Sequence, residues 1–271
     1  MGRTNHERAT QAATAPPTQP GPSLVLDHAP PLNLSIHPTA DAANNAAADL
    51  LSRWLTAPDV RTLMVAGGNS PLDLYRRVSQ RRLALPHLTV FALDEYVGVP
   101  LDEPRSCANL LRRSVAEAWG VPPERFFALS AREDEAPASV RCHEWRIAEA
   151  GGLDVIVLGL GQNGHLGFNE PGSTPDSPGR VLDLDSSSIE ANRKWFDGDH
   201  APAKGVTVGL KTLLAARRVL ILAYGPHKAS ATRAMVLGPV GDRCPASFLQ
   251  THPCVHAFLD TEAAAALNGP P

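Results

Sequence analysis

The chain has 271 residues, 43% hydrophobic and 20% charged, which supports a sizeable buried core and excludes wholesale disorder. A formal net charge of −3 argues against a broad nucleic-acid or anionic-membrane surface but leaves room for a local cationic pocket. No run reaches the roughly 20 apolar residues that span a bilayer, and the first 22 residues lack the apolar stretch of a secretory signal, so a cytoplasmic protein with no membrane partner is expected.

Residues 1–31 hold six of the 25 prolines and almost no large apolar side chains, and read as a disordered arm. The remainder, 32–271, reads as a single α/β domain. Ala43, Ala47, Leu50, Leu51, Trp54 and Leu55 recur at helical spacing, which predicts a helix over 40–55. A short apolar run over 62–66 predicts a buried strand ending at Gly67-Gly68; Ser70-Pro71 then reads as an N-cap followed by proline in the first turn of a helix. The alternation continues with strands at 88–93, 154–159, 219–223 and 255–259, and helices at 107–119, 139–150 and 227–237. Apolar strands alternating with helices predict a three-layer, Rossmann-like α/β fold with a mainly parallel sheet between helices.

Cysteines stand at 107, 142, 244 and 254 without C-x-x-C spacing, and read as reduced thiols. Cys244 and Cys254 have His252 and His256 nearby, but the spacing fits no ligand template, so no metal is expected.

Three loops at strand carboxyl ends, where open α/β sheets bind ligands, carry the chemistry. Gly67-Gly68-Asn69-Ser70 combines close backbone approach with a helix N-terminus, which suits a phosphate; it is neither a Walker A nor a dinucleotide loop. Asp94-Glu95-Tyr96 follows an apolar strand, so one carboxylate should reach the cleft as a base. In the Gly-rich loop over 159–173, His165 precedes Glu170 by five residues, a pairing that suits proton transfer. No nucleophile elbow is present. These residues point to an isomerase or hydrolase of a phosphorylated small molecule, without metal or cofactor.

The blocks Leu93-Asp94-Glu95-Tyr96-Val97-Gly98, Gly164-His165-Leu166-Gly167-Phe168-Asn169-Glu170-Pro171, Val206-Thr207-Val208-Gly209, Gly225-Pro226-His227-Lys228 and Pro245 to Pro253 resemble, in order, the glucosamine-6-phosphate deaminase (isomerase) family, whose superfamily includes 6-phosphogluconolactonase. The resemblance covers residues 35–262. It implies Asp94 as the base moving a proton between C2 and C1, His165 as the ring-opening residue, and Glu170 as its supporting carboxylate. Gly67 to Ser70 and Lys228 would hold the phosphate. The family's phosphate-binding arginine aligns with Lys194, with Arg193 one position away, so either residue stands for it. Asn163 joins the catalytic set where some members carry Asp. The implied partner is a hexosamine 6-phosphate, with a homo-oligomer left open. The segment Ser173 to Ile189, with Pro175, Pro178 and Gly179 and no long apolar face, reads as a mobile lid.

Two other functions compete. A lactonase would share the phosphate loop, but Tyr96 and Glu170 speak against it. A non-catalytic sugar-phosphate sensor would not need Asp94, His165 and Glu170 together. Glucosamine 6-phosphate and another amino sugar, such as galactosamine 6-phosphate, are not separated by sequence.

Overall fold

The computed structural model describes Met1 and residues 32–268. The arm expected over 1–31 lies, apart from Met1, outside the described residues. Strand β1 (Leu32–His37) leads into helix α1 (Ala40–Leu55), capped by the Thr39 side chain. Next come β2 (Thr62–Val65), α2 (Asn69–Gln80), β3 (Thr89–Ala92) and β4 (Asp94–Tyr96). Helix α3 (Cys107–Leu111) continues into a π-helical stretch over Arg112–Glu117, followed by β5 (Phe126–Phe127) and α4 (Ala136–Glu149). The second half comprises β6 (Val155–Gly159), β7 (Arg180–Asp183), α5 (Ser186–Trp195), β8 (Lys204–Thr207), α6 (Leu210–Leu214), β9 (Arg218–Ala223), α7 (Ala229–Leu237) and β10 (Val255–Asp260).

Seven strands form one parallel sheet in the order β1-β10-β9-β6-β2-β3-β5. Both faces are covered. Leu63, Val65, Val155, Val157, Leu220 and Leu222 pack with Leu51, Leu74 and Leu111 on one side. Met64, Ile156, Leu158 and Ile221 pack with Ile147 and Met235 on the other. Burial on both faces explains why the central strands β6 and, after Thr62, β2 are apolar rather than alternating. The three-layer expectation holds.

The order reverses at the sheet centre: β2 leads to β3 on one side, whereas its other neighbour, β6, continues toward β9 and β10. That switch point leaves a crevice beyond the carboxyl ends of β2 and β6, which carry the two Gly-rich loops.

The structure corrects several sequence expectations. Residues 94–96 form a strand of a small antiparallel sheet, β4-β8-β7, because Asp94 pairs with Thr207 and Tyr96 with Gly205. The segment 173–189 is not simply a loop: it contains β7 and the start of α5, whose N-terminus is capped by Asp185. Gly68, at φ 92°, rather than Ser70, takes the N-cap position of α2, and no side-chain oxygen caps that helix. Only glycine adopts that backbone geometry without strain, so the helix starts before Ser70 and its first N–H groups stay available.

Candidate active site

A cavity of about 280 Å³ opens at the switch point. Gly67, Gly68, Asn69 and Ser70 line it from the β2–α2 turn, Asp94 from β4, His165 from the β6 loop and Lys228 from the turn after β9. Four neighbouring strand ends therefore converge on one volume.

Asp94 and Glu95 take different tasks. Glu95 accepts hydrogen bonds from the backbone N–H groups of Tyr96 (2.8 Å), Cys107 (3.0 Å) and Ala108 (2.7 Å). It closes the N-terminus of α3, where a carboxylate is favourable. Asp94 is left to the cavity wall, 7% exposed. Burial, then the neighbouring Glu95 charge, pushes its carboxyl up to about 7 against a smaller opposing hydrogen bond from Cys107. Such a group exchanges a proton near neutral pH.

His165 is held from behind. Its Nδ1 lies 3.2 Å from Glu170 Oε2, and its backbone N–H donates to Asn163 Oδ1 at 3.1 Å. Asn163 Nδ2 donates to the same Glu170 oxygen at 2.8 Å. Nδ1 thus faces the carboxylate, and Nε2 has no hydrogen-bond partner among the described residues. Burial raises the Glu170 carboxyl, but the bonds from His165, Ser188 and Asn163 outweigh it and hold it down at about 2. Glu170 stays ionised and orients the imidazole.

The rest of the motif secures this geometry. Buried Asn169 donates to the carbonyls of Leu166 (3.0 Å) and Val208 (2.9 Å) and accepts from Arg180 at 3.0 Å. The Gly161 backbone lies under the His165 ring so closely that a Cβ there would overlap it. Glycine is needed for that approach.

Lys228 supplies positive charge. It lines the cavity, makes no ion pair among the described residues, and burial lowers its pKa to about 8. A desolvated, unpaired cation beside the free N–H groups of α2 suits one anionic group. Asp260 fixes this turn by accepting the Gly225 N–H at 2.9 Å.

The structure does not bring Arg193 or Lys194 into this cavity. Both are exposed on α5, and Lys194 Nζ lies 3.6 Å from Glu190, one helical turn away on the same face. Lys194 lines an adjoining cleft at the mouth with Asn69 and Gln162. Sequence reasoning missed Ser188 and Trp195, which α5 places on the cavity wall. The Asp185-Ser186-Ser187-Ser188 run carried a helix-start signal, but nothing in it said which serine faces inward.

This fold and cavity define an α/β protein whose crevice brings a cation and helix N–H groups beside acid–base groups. The chain belongs to the family of glucosamine-6-phosphate isomerases and 6-phosphogluconolactonase, whose model matches residues 37–257. A glucosamine-6-phosphate deaminase of Cutibacterium acnes is 39% identical over 232 residues, covering 84% of this chain and 89% of that protein. One from Corynebacterium kroppenstedtii is 36% identical, covering 88% and 93%. The solved structure of a monomeric glucosamine-6-phosphate deaminase superposes with a TM-score of 0.82 at 30% identity, covering 86% of this chain and 99% of the other. A 6-phosphogluconolactonase from Trypanosoma cruzi shares the fold, with a TM-score of 0.72 at 20% identity over 88% and 97% of the two chains.

Proposed function

We propose that this chain is a glucosamine-6-phosphate deaminase, converting glucosamine 6-phosphate and water into fructose 6-phosphate and ammonia. The observation that carries the reading is Asp94, a buried carboxyl with a pKa near 7, sharing one cavity with His165 and unpaired Lys228. Lys228 and the backbone of Gly67 to Ser70 hold the phosphate. Arg193 and Lys194 sit outside that cavity, so Lys228 is the cation assigned to it. His165, oriented by Glu170 and Asn163, moves the ring-opening proton through Nε2. Asp94 takes the proton from C2 of the open chain and returns it to C1, leaving an imine whose hydrolysis releases ammonia. A base with pKa near 7 suits this shuttle, since it accepts and donates with little bias.

No helix among the described residues is long and apolar enough to cross a membrane. A cytoplasmic location fits a phosphorylated substrate, which does not cross membranes unaided. The test is ammonia release across a panel of hexosamine 6-phosphates, including galactosamine 6-phosphate, beside hydrolysis of 6-phosphogluconolactone. The reading requires ammonia from glucosamine 6-phosphate and its loss in Asp94→Asn. Lactone hydrolysis without ammonia release would replace it.

A further inference from the structure

Within helix α5 the buried residues are Ser188 and Asn192, both polar, and its apolar anchor is Phe196 at the C-cap, fully buried against Tyr96. Ten residues make a helix that is marginal in water without an apolar face. Its N-terminal end is held by a polar anchor, and its far end by Phe196 together with polar contacts.

At the N-terminal end, Ser188 Oγ donates to Glu170 Oε1 at 2.5 Å and lies 3.5 Å from His165 Nδ1. His165 and Asn163 occupy the other carboxylate oxygen. Ser188 therefore supplies the one described side-chain bond to Oε1, from a helix that roofs the cavity. At the far end, the Trp195 indole N–H donates to the Arg105 carbonyl at 3.0 Å. The Arg105 guanidinium reaches Asp199 at 2.8 Å, Asp197 at 3.3 Å and Glu103 at 2.7 Å, and covers the Phe196 ring at 5.5 Å. Glu103 also meets His200 at 3.3 Å. Asp197 and Asp199 are largely exposed, so each of those pairs contributes little alone. The clamp seats the helix without locking it.

We propose that Ser188 is a positioning residue that completes the His165–Glu170 pair only while α5 is seated, and that Arg105 is the clamp that seats it. Closure of α5 then switches on proton transfer at the moment it covers the cavity. A ligand can enter while the helix is away, and the carboxylate receives its last donor when the helix returns.

The kinetic arm rests on the deaminase reading; an amide-exchange arm does not. Ser188→Ala is expected to lower kcat about tenfold with KM within about twofold, since one hydrogen bond to a charged group is lost and the phosphate contacts stay. Ser188→Thr, which keeps the hydroxyl, is expected to recover most of that kcat. Arg105→Ala, outside the cavity, is expected to lower kcat in the same sense. Combined with Ser188→Ala it should cause much less than the product of the two losses, because both act through one seated helix. Hydrogen–deuterium exchange without substrate should quicken in peptides over 186–196 for Arg105→Ala, with the β-sheet unchanged. Wild-type kcat in Ser188→Ala, multiplicative losses in the double variant, or unchanged exchange over 186–196 would each overturn the proposal. Quickened exchange with no wild-type turnover would instead overturn the deaminase reading.

Discussion

Asp94 and Glu95, adjacent on strand β4, face opposite ways: Glu95 closes the first N–H groups of α3, and Asp94 looks into the cavity. Strand alternation separates two equal carboxylates into a structural and a chemical one. Asp94 is pushed up to about 7, mainly by burial. The acid limb of kcat/KM is therefore expected near pH 7, and Asp94→Asn is expected to lose roughly 10³-fold in turnover.

The same shift sets a stability trend. Between about pH 4 and 7 the folded state keeps a proton that the unfolded chain has released, so stability falls as pH rises through that window. Asp94→Asn removes the penalty. Urea unfolding at pH 8 should show the variant more stable by roughly 2–4 kcal/mol, with the difference shrinking toward pH 4. Equal stability at pH 8 would contradict a desolvated Asp94.

Lys228 is a half-buried cation with no ion pair among the described residues. Lys228→Met should leave the free protein at least as stable at pH 7, because a half-buried charge with no ion pair among the described residues is removed. It should also raise KM roughly 10–100-fold and abolish the thermal shift caused by inorganic phosphate. A phosphate-induced shift that survives the substitution would move the anion site elsewhere.

Asn163→Asp exchanges a donor to Glu170 for a negative charge 2.8 Å away. The Glu170 carboxyl, now held at about 2, should titrate higher. A depressed carboxyl contributes stability above its unfolded value that is lost as pH falls toward the folded one. The variant should therefore unfold at a higher pH on acidification, followed by circular dichroism, with the carboxyl midpoint read by carbon NMR. Coincident acid transitions would mean Asn163 does not act on Glu170.

Gly161→Ala would place a methyl group in the His165 ring. The backbone there is not in the left-handed region, so the chain tolerates alanine and the ring must move. Turnover should fall more than about tenfold while the unfolding temperature changes by only a few degrees. A fully active variant would show that the imidazole position is not held by this contact.

Much of the site was legible before any coordinates. Apolar runs over 62–66 and 154–159 marked central strands, because burial on both faces leaves no polar position. The His165–Glu170 pair in a Gly-rich loop at a strand end marked the acid–base loop, and the resemblance assigned its roles. Strands β4, β7 and β8 were not legible: each is three or four residues long, and their antiparallel register depends on partners 21 to 113 positions away. That Arg193 and Lys194 lie outside the cavity was not legible for a related reason. Alignment gives a position along α5, but the rotation of a polar helix depends on what it docks against.

The sequence alone determined the alternation of strand and helix, the Gly-rich turns at strand ends, and the residue types for proton transfer. These are local properties, set by periodicity, backbone freedom and chemistry over a few residues. Tertiary structure decided that Asp94 lines the cavity while Glu95 turns to the N–H groups of α3, that Lys228 lines it while Arg193 and Lys194 stay outside, and that Ser188 reaches Glu170. Each of those choices depends on burial and on hydrogen bonds between distant segments, and a side chain's charge state and direction follow from what the fold packs around it.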